Sequence, residues 1–307
     1  MITKPMLAGK CPENLDDLNY PVLVSPKLDG VRCLIIDGKA LTRRWKPIPN
    51  DHVREFLEKH ALEGMDGELM PADDSVPFKD FSGAVRRKDG KPRFVYKVFD
   101  RATDLSVPFN IRYVELDRAI FELLSWTSRI EVVPHILVAS TSQLLDAHEN
   151  FVQLGYEGTM VRDPGAAYKC GRSTTKQGQL LKLKDFADEE AEVLEVLELM
   201  HNDNEATKDA FGRTERSAHK ENKRPAGTMG KLRMRFLRDG KEFTCGTGFS
   251  AAERDMWWAD RDNIRLLSAG GTPVIAKVKH QPDPGGRKDG QKPRFPVFLA
   301  IRDLAVD

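Results

Sequence analysis

Hydrophobic and polar positions in the first 186 residues follow the period of a strand in some segments and the period of a helix in others. Apolar or alternating runs predict strands at 22–25, 33–36, 94–99 and 130–138. Apolar residues spaced three and four positions apart predict helices at 51–60, 111–124 and 141–154. The first part of the chain is therefore predicted to be a mixed α/β domain.

Strands dominate the elements predicted beyond residue 230. Alternating or continuously apolar runs lie at 232–237, 241–245, 274–279 and 297–301. Residues 250–253 form a capping box that opens one helix of about 17 residues. Several short strands with one helix predict a small β-barrel.

Two segments between these parts have less distinct patterns. Residues 187–199 (ADEEAEVLEVLEL) alternate acidic and apolar positions, and their period fits a helix somewhat better than a strand. Residues 201–230 are polar and rich in lysine and arginine, which predicts a long mobile loop or a hairpin extension. We place the domain boundary here and expect domains over 1–187 and 188–307.

Positive and negative charges are balanced over the whole chain but unevenly distributed along it. With 48 Lys+Arg against 47 Asp+Glu, the net charge of +1 does not itself indicate a nucleic-acid partner. However, residues 168–184 contain five basic and no acidic side chains, and 203–241 contain eleven basic against six acidic ones. A basic surface can therefore coexist with a neutral total.

The remaining composition argues against several classes of protein. The four cysteines lie far apart without a CxxC pair, which disfavours a structural zinc site or a disulfide framework. No signal-peptide core is present and no apolar run approaches 18 residues. We therefore expect a soluble intracellular protein without a membrane partner.

Residues 25–32 (SPKLDGVR) contain the first candidate for chemistry. Lys27 follows a predicted strand and precedes a glycine turn. A lysine nucleophile must lose its proton, and burial or nearby cations such as Arg32, Arg43 and Arg44 favour that loss. An isolated lysine in such a turn is nevertheless far more often a solvated surface residue.

Four further segments follow in a defined order. They are DGEL at 66–69, VYKVFD at 95–100, EGTMVR at 157–162 and LLKLK at 180–184. Each alone is explained by a solvated turn, by core packing or by a half-buried strand with solvated lysines. The occurrence of all five segments in this order indicates a functional pattern and is not explained by chance.

In this order the five segments resemble the motifs of the covalent nucleotidyltransferases, namely ATP-dependent DNA ligases, RNA ligases and mRNA capping enzymes. The chain is most similar to the minimal two-domain DNA ligases of large DNA viruses, of the Chlorella virus type. The resemblance covers nearly the whole chain and is weakest over 201–230. It implies an α+β fold: a nucleotidyltransferase (adenylation) domain of antiparallel sheets and helices, followed by an OB-fold β-barrel.

The resemblance also implies a role for each matched residue. Lys27 would attack the α-phosphorus of ATP and become a lysyl-AMP. The residues implied in nucleotide binding are Arg32, Glu68, Phe99, Glu157, Lys182 and Lys184. Those implied in binding the nick phosphate or the AMP phosphate are Arg43 and Arg172. Phe99 would stack on adenine, and Glu68 and Glu157 would hold Mg²⁺ or Mn²⁺.

The end of the chain resembles the last ligase motif. Arg294 and Arg302 would orient the pyrophosphate leaving group when the domains close. Leu304 departs from the pattern, because many relatives carry a lysine there. Residues 203–230 correspond to a DNA-clamping latch, whose basic residues would contact phosphates with little base readout. They are Lys208, Arg213, Arg216, Lys220, Lys223 and Arg224.

The function implied is ATP-dependent sealing of 5′-phosphate/3′-hydroxyl nicks in duplex DNA, through lysyl-AMP and a DNA-adenylate. The partner would be nicked duplex DNA, encircled by a monomer, in the host-cell cytoplasm if the source is viral. Two enzyme alternatives remain open, an RNA ligase and a capping guanylyltransferase. A catalytically silent nick-binding protein is the alternative outside the enzymes.

Overall fold

The computed structural model describes residues 2–73, 75–123, 128–217, 219, 222–270, 272–281, 290 and 292–302. Contacts divide the chain into two compact units. Unit 1 comprises Met1–Leu183 with Lys208–Glu215, and unit 2 comprises Lys184–Thr207 with Arg216–Asp307. The division after Leu183 falls close to the predicted boundary, but the return of 208–215 to unit 1 was not predicted.

The elements up to Leu183 alternate strands and helices. The strands are β1 (Met6–Leu7), β2 (Gly9–Lys10), β3 (Val22–Pro26), β4 (Val31–Ile36), β5 (Lys39–Thr42), β6 (Met65–Pro71), β7 (Phe94–Arg101), β8 (Ile130–Val132), β9 (Ile136–Val138), β10 (Thr159–Arg162), β11 (Gly171–Arg172) and β12 (Leu180–Leu183). The helices are α1 (Asp51–His60), α2 (Phe78–Arg86), α3 (Phe109–Leu123) and α4 (Thr141–Gln153).

Two five-stranded sheets form unit 1. The first has the order β2-β12-β10-β3-β9 and the second has the order β5-β4-β6-β7-β8. All pairs are antiparallel except β12 with β2 and β7 with β8. The second sheet packs with α1 to α3 around a core that includes Leu57, Tyr96 and Leu116, all fully buried. This arrangement confirms the antiparallel α+β fold expected for the first domain.

A buried charged triad connects the two sheets. Asp100 on β7 accepts hydrogen bonds from Arg112 on α3, at 2.9 and 3.1 Å, and from Arg162 on β10. The three side chains are at most 4% exposed. Such charges are tolerated in a core only when they are paired and hydrogen-bonded, so the triad constrains how the two sheets face each other.

Unit 2 is rich in strands, as its alternating pattern predicts. Its strands are β13 (Ala187–Asn202), β16 (Lys223–Phe236), β17 (Glu242–Cys245), β18 (Val274–Gln281) and β19 (Arg294–Ile301). Two short strands, β14 (Ala206–Lys208) and β15 (Thr214–Arg216), lie at the two ends of the 208–215 segment and are divided between the units. The helices of unit 2 are α5 (Ala251–Ala259) and α6 (Arg261–Ala269). The single helix predicted from residue 250 is therefore two helices that meet at Asp260.

Five strands of unit 2 form one sheet in the order β17-β16-β13-β18-β19. Its two edges approach each other, because Phe298 N donates to Thr247 O at 2.9 Å. A five-stranded sheet that curls until its edges meet is the architecture of an OB-fold barrel, here only partly closed. The OB-fold expected for the second part of the chain is thus consistent with this sheet.

The helical preference read from 187–199 is wrong, because β13 spans this segment. Local period could not show that its acidic side chains pair across the sheet. Glu192 contacts Arg235 at 2.6 Å and Glu195 contacts Arg233 at 3.3 Å, while Val193 faces the core. Of the two interpretations of 201–230, the hairpin extension agrees with the structure, since β14 pairs with β15 beyond the ends of β13 and β16.

Among the described residues, the longest apolar helical stretches fall short of what a membrane-spanning helix requires.

Candidate active site

A cavity of about 220 Å³ opens within unit 1. Its walls come from β3, β10 and β12 of the first sheet and from β4, β6 and β7 of the second. Seven residues singled out from the sequence line it: Lys27, Arg32, Arg43, Glu68, Phe99, Arg172 and Lys182. The fold therefore brings one nucleophile candidate, one aromatic ring, one carboxylate and four cations into the same space.

Lys27 is positioned by the segment that contains Glu157. Lys27 N donates to Gly158 O at 2.8 Å, and Glu157 N donates to Lys27 O at 3.1 Å. The Lys27 amine also contacts the Glu157 carboxylate, and the two side chains are 21% and 7% exposed. Two motif segments separated by 130 positions are thus joined by backbone and side-chain bonds. The ion pair itself was not predicted.

Arg32 is held by a network that begins with Asp66. Arg32 Nε and one terminal nitrogen donate to the two Asp66 oxygens at 2.5 and 2.6 Å, which is a bidentate pair. Tyr168 donates to the same carboxylate at 2.7 Å and accepts from Met6 N at 2.9 Å. Sequence reasoning missed this role of Asp66, although it lies in the DGEL motif, and the role of Tyr168.

The Phe99 ring lines the cavity. The Arg32 guanidinium carbon lies 4.5 Å from the centre of this ring and covers one of its faces. Cation–π contact of this kind stabilises both groups. Phe99 is therefore the aromatic ring, among the seven residues above, on which a planar base in this cavity could stack.

Glu68 lies on β6 at the wall of the cavity. Its pKa is raised to about 7, chiefly by burial and also by Asp66 and Asp29, against the opposing effect of Arg32 and Lys27. A carboxyl with a pKa near neutrality among other acids is easily stabilised in its charged form by a cation. The described residues contain no group of three or more acidic, histidine or cysteine side chains that could hold a metal on their own.

A second cavity adjoins the first and has four arginines among its lining residues. Arg43 and Arg44 face it together with Arg213, which belongs to the 208–215 segment of unit 1. Burial lowers the pKa of Arg43, and repulsion from Arg172 adds to the effect. Phe211 anchors the segment, since it is 4% exposed and joins the apolar core of the second sheet. This concentration of positive charge favours an anionic ligand.

Comparison with known proteins agrees with this chemistry. A family model described as the ATP dependent DNA ligase domain matches residues 5–184, which is more than half of the chain. The chain belongs to the ATP-dependent DNA ligase family. The match covers almost all of the first 183 residues, and therefore nearly every strand that lines the first cavity.

Individual relatives are similar to this chain beyond the residues that the family model matches. A crystal structure of Chlorella virus DNA ligase-adenylate is 30% identical, covers 99% of both chains and has a TM-score of 0.55. A DNA ligase of Haemophilus influenzae is 27% identical over 242 residues, or 77% of either chain. A Lig E DNA ligase structure at 24% identity covers 98% of this chain and 100% of its own, with a TM-score of 0.65, which shows a shared fold.

Three site residues expected of a ligase lie in unit 2. Lys184 donates to Gln281 at 3.1 Å. Arg302 contacts Glu190 at 2.8 Å, and the guanidinium of Arg294 lies 5.8 Å from the Phe295 ring centre. The structure of unit 1 alone thus does not bring these side chains into the cavity, and their roles stay predictions.

The basic residues predicted to form a latch differ in their contacts. Arg216 donates to Asn204 O and Arg224 contacts Asp203 at 2.7 Å, so both stabilise the hairpin itself. The others are Lys208, whose amine contacts Thr214, Arg213 at the second cavity and Lys223 at the start of β16. Two predicted positions, Lys220 and Leu304, lie outside the described residues.

Proposed function

We propose that this ligase seals 5′-phosphate/3′-hydroxyl nicks in duplex DNA through a covalent lysyl-AMP and a DNA-adenylate. One observation carries the proposal. Lys27 lines the same cavity as Phe99, Arg32 and Lys182. This arrangement places a nucleophile beside a ring that can stack on a base and beside cations that can bind phosphate. The similar Chlorella virus ligase is described as its adenylate, which supports a covalent step here too.

The first step joins Lys27 to AMP. The Lys27 amine attacks the α-phosphorus, an N–P bond forms, and the bond to the bridging oxygen breaks, so that pyrophosphate leaves with the electron pair. Only the neutral amine can attack, so the Lys27 ammonium first loses a proton, which the contacting Glu157 carboxylate is placed to accept. Arg32 and Lys182 stabilise the negative charge that develops on the phosphate oxygens.

Two further transfers complete the reaction. An oxygen of the nick 5′-phosphate attacks the AMP phosphorus and releases Lys27, which gives the DNA-adenylate. The 3′-hydroxyl then attacks the activated 5′-phosphorus, loses its proton and releases AMP. Arg43 and Arg172 line the cavity where the 5′-phosphate must approach the AMP phosphorus, and we assign them to that phosphate.

We also propose that Glu68 and Glu157 hold Mg²⁺ or Mn²⁺. Carboxylate oxygens are hard ligands, and Mg²⁺ is usually bound by one or two carboxylates together with substrate phosphates, which fits two glutamates better than a closed protein cage. The raised pKa of Glu68 fits a site that gains from a cation. When bound, the ion neutralises phosphate charge.

We propose two further roles. Arg294 and Arg302 act on the pyrophosphate leaving group, and the latch residues bind backbone phosphates of the duplex, so that a monomer encircles the DNA. The support is the partly closed OB-type sheet, a fold whose strands and loops are suited to nucleic acid, and the excess of eleven basic over six acidic side chains in 203–241.

A sealing assay tests the proposal. A 5′-labelled nicked DNA duplex is incubated with ATP and Mg²⁺, beside the same nick in an all-RNA duplex. We expect a longer labelled strand from the DNA nick with the wild type, none with Lys27→Ala, and normal sealing with Lys39→Ala, an exposed lysine on β5. Sealing of RNA alone would favour an RNA ligase, and binding without sealing would favour a nick-binding protein.

A further inference from the structure

His135 lies where the two sheets of unit 1 are connected. It ends the three-residue link between β8 of the second sheet and β9 of the first. The residue lines the nucleotide cavity, as do Val133 on the same link, Phe99 and Arg162. No motif singled it out, because its neighbours in the sequence carry no pattern beyond that of two short strands.

The polar atoms of the His135 ring are fixed by their surroundings. Nδ1 lies 3.0 Å from Val133 O, and a carbonyl can only accept, so Nδ1 carries the proton. The ring packs edge-on against Tyr113 at 4.6 Å and beside Phe109 at 5.1 Å. Its backbone N–H donates to the Tyr113 hydroxyl at 3.2 Å. The remaining ring nitrogen, Nε2, is therefore a hydrogen-bond acceptor.

The surroundings of His135 keep the proton on Nδ1 and leave Nε2 unprotonated. Burial and, next to it, the positive charge of Arg162 lower the pKa of His135 to about 3, so the ring is neutral at physiological pH. Moving the proton from Nδ1 to Nε2 would break the bond to Val133 O and leave two acceptors facing each other. His135 thus presents an acceptor and not a donor.

We propose that His135 Nε2 accepts a hydrogen bond from the 6-amino group of adenine and so selects ATP. Phe99 supplies the face on which the base stacks, and His135 supplies an edge contact in the same cavity. Guanine and hypoxanthine carry an oxygen at position 6. This oxygen is also an acceptor, so it cannot form a hydrogen bond with Nε2. This role rests on the proposed function, because it concerns the nucleotide that Lys27 captures.

The test compares covalent labelling by ATP with labelling by purine riboside triphosphate, which lacks the 6-amino group, and by inosine triphosphate, which has the 6-oxygen. We expect wild-type kcat/KM to be about tenfold higher for ATP than for the purine analogue, as one lost hydrogen bond predicts, and higher still relative to inosine triphosphate. In His135→Phe the preference over the purine analogue should fall to about one. In His135→Gln, which restores an acceptor, part of the preference should return.

Met160→Leu is the matched control, because Met160 lines the same cavity without a strong hydrogen-bonding atom. Met160→Leu should change labelling by ATP and labelling by purine riboside triphosphate by the same factor. A second measurement uses unaltered protein with ¹⁵N-labelled histidine. The unprotonated nitrogen of His135 should shift with AMP and not with purine riboside monophosphate.

The outcomes are separable. If the wild type is labelled but His135→Phe keeps the same preference for ATP over purine riboside triphosphate, the role of His135 alone is overturned. A ¹⁵N signal of His135 that responds equally to AMP and to purine riboside monophosphate also overturns that role. Absence of any covalent label on the wild type overturns the proposed function and this role together.

Discussion

The Tyr168 hydroxyl donates a hydrogen bond of 2.7 Å to Asp66, the carboxylate that holds two nitrogens of Arg32. Tyr168 is 102 positions from Asp66 in the sequence, and both side chains are buried. Arg32 in turn covers one face of Phe99. The orientation of Arg32, which we propose binds the nucleotide, is thus set in part by a tyrosine outside the five motif segments.

Replacing Tyr168 by phenylalanine should remove one donor from the buried Asp66 carboxylate. We expect the free energy of unfolding to fall by roughly 1 to 3 kcal/mol, because a charged acceptor is left under-satisfied. Urea unfolding measures this change. Tyr20→Phe is the control, since Tyr20 makes longer bonds of 3.2 and 3.4 Å in a half-buried position. Equal losses in the two variants would contradict the role of Tyr168.

Asp100→Asn should be among the most destabilising single changes in unit 1. Burial alone would raise the pKa of Asp100, but Arg162 and Arg112 outweigh it and hold the pKa below its ordinary value. Removing the charge leaves two buried arginines without their shared partner, which costs roughly 3 to 5 kcal/mol near pH 7. Denaturant unfolding of both proteins measures the difference.

The pH dependence of that difference follows from the sign of the shift. A carboxylate whose folded pKa is depressed stabilises the protein above its unfolded pKa of about 3.9, and the contribution is lost as the pH falls through the folded value. The gap between wild type and Asp100→Asn should therefore narrow below about pH 4. Asp117→Asn on the exposed face of α3 should show no such gap. A gap that is constant down to low pH would contradict the shift.

Glu68 should give the opposite pH dependence. Because its folded pKa is raised to about 7, the folded protein keeps a proton there that the unfolded chain has already lost above its ordinary value of 4.5. Stability contributed by this group therefore decreases between those two pH values and is constant above them. Without divalent metal, Glu68→Gln should be more stable than wild type at pH 8 by roughly 1 to 3 kcal/mol.

Urea unfolding at pH 5 and pH 8 in the presence of a chelator measures this effect. Glu131→Gln is a suitable control, because the Glu131 side chain is 46% exposed and pairs with Lys97 at 3.6 Å. If wild type and Glu68→Gln lose the same stability between the two pH values, the raised pKa is wrong.

The latch prediction can be tested through salt dependence. Deletion of 203–228 would also remove Phe211, a core residue of unit 1, so neutralising charges is the cleaner change. We choose Lys208, Arg213 and Lys223 and replace each by glutamine. If they contact phosphates, the slope of log affinity for nicked duplex against log salt should flatten by about 2 to 3, at roughly 0.9 per contact. Lys39→Gln should leave the slope unchanged, and an unchanged slope in the triple variant would rule out the contacts.

The helices α1, α3 and α4 and the strands β3, β4 and β7 could be predicted from their apolar positions, a local property. The helix α2 was not predicted, and the single strand expected over 130–138 is two strands, β8 and β9, which belong to different sheets. The motif order could likewise predict that Lys27, Glu68 and Phe99 share a site. By contrast, β13 could not be told from a helix, since Glu192 and Glu195 are explained only by Arg235 and Arg233 on a later strand. Pairing across a sheet is not visible in a local period.

Phe211 and His135 show a second limit. Phe211 is a lone aromatic residue in a polar segment, and its burial depends on a core built by residues far earlier in the chain. The acceptor at His135 Nε2 depends on the Val133 carbonyl, on burial of the ring and on the neighbouring charge of Arg162. Both are consequences of long-range packing, which residue types alone do not disclose.

The central claim is that Lys27 carries AMP. We expect protein freed of bound nucleotide to take up label from α-labelled ATP with Mg²⁺, and peptide mapping to place a single AMP on Lys27. Lys27→Ala should take up none, and Lys39→Ala should label like the wild type. Label that persists in Lys27→Ala, or that maps to another lysine, would contradict the account.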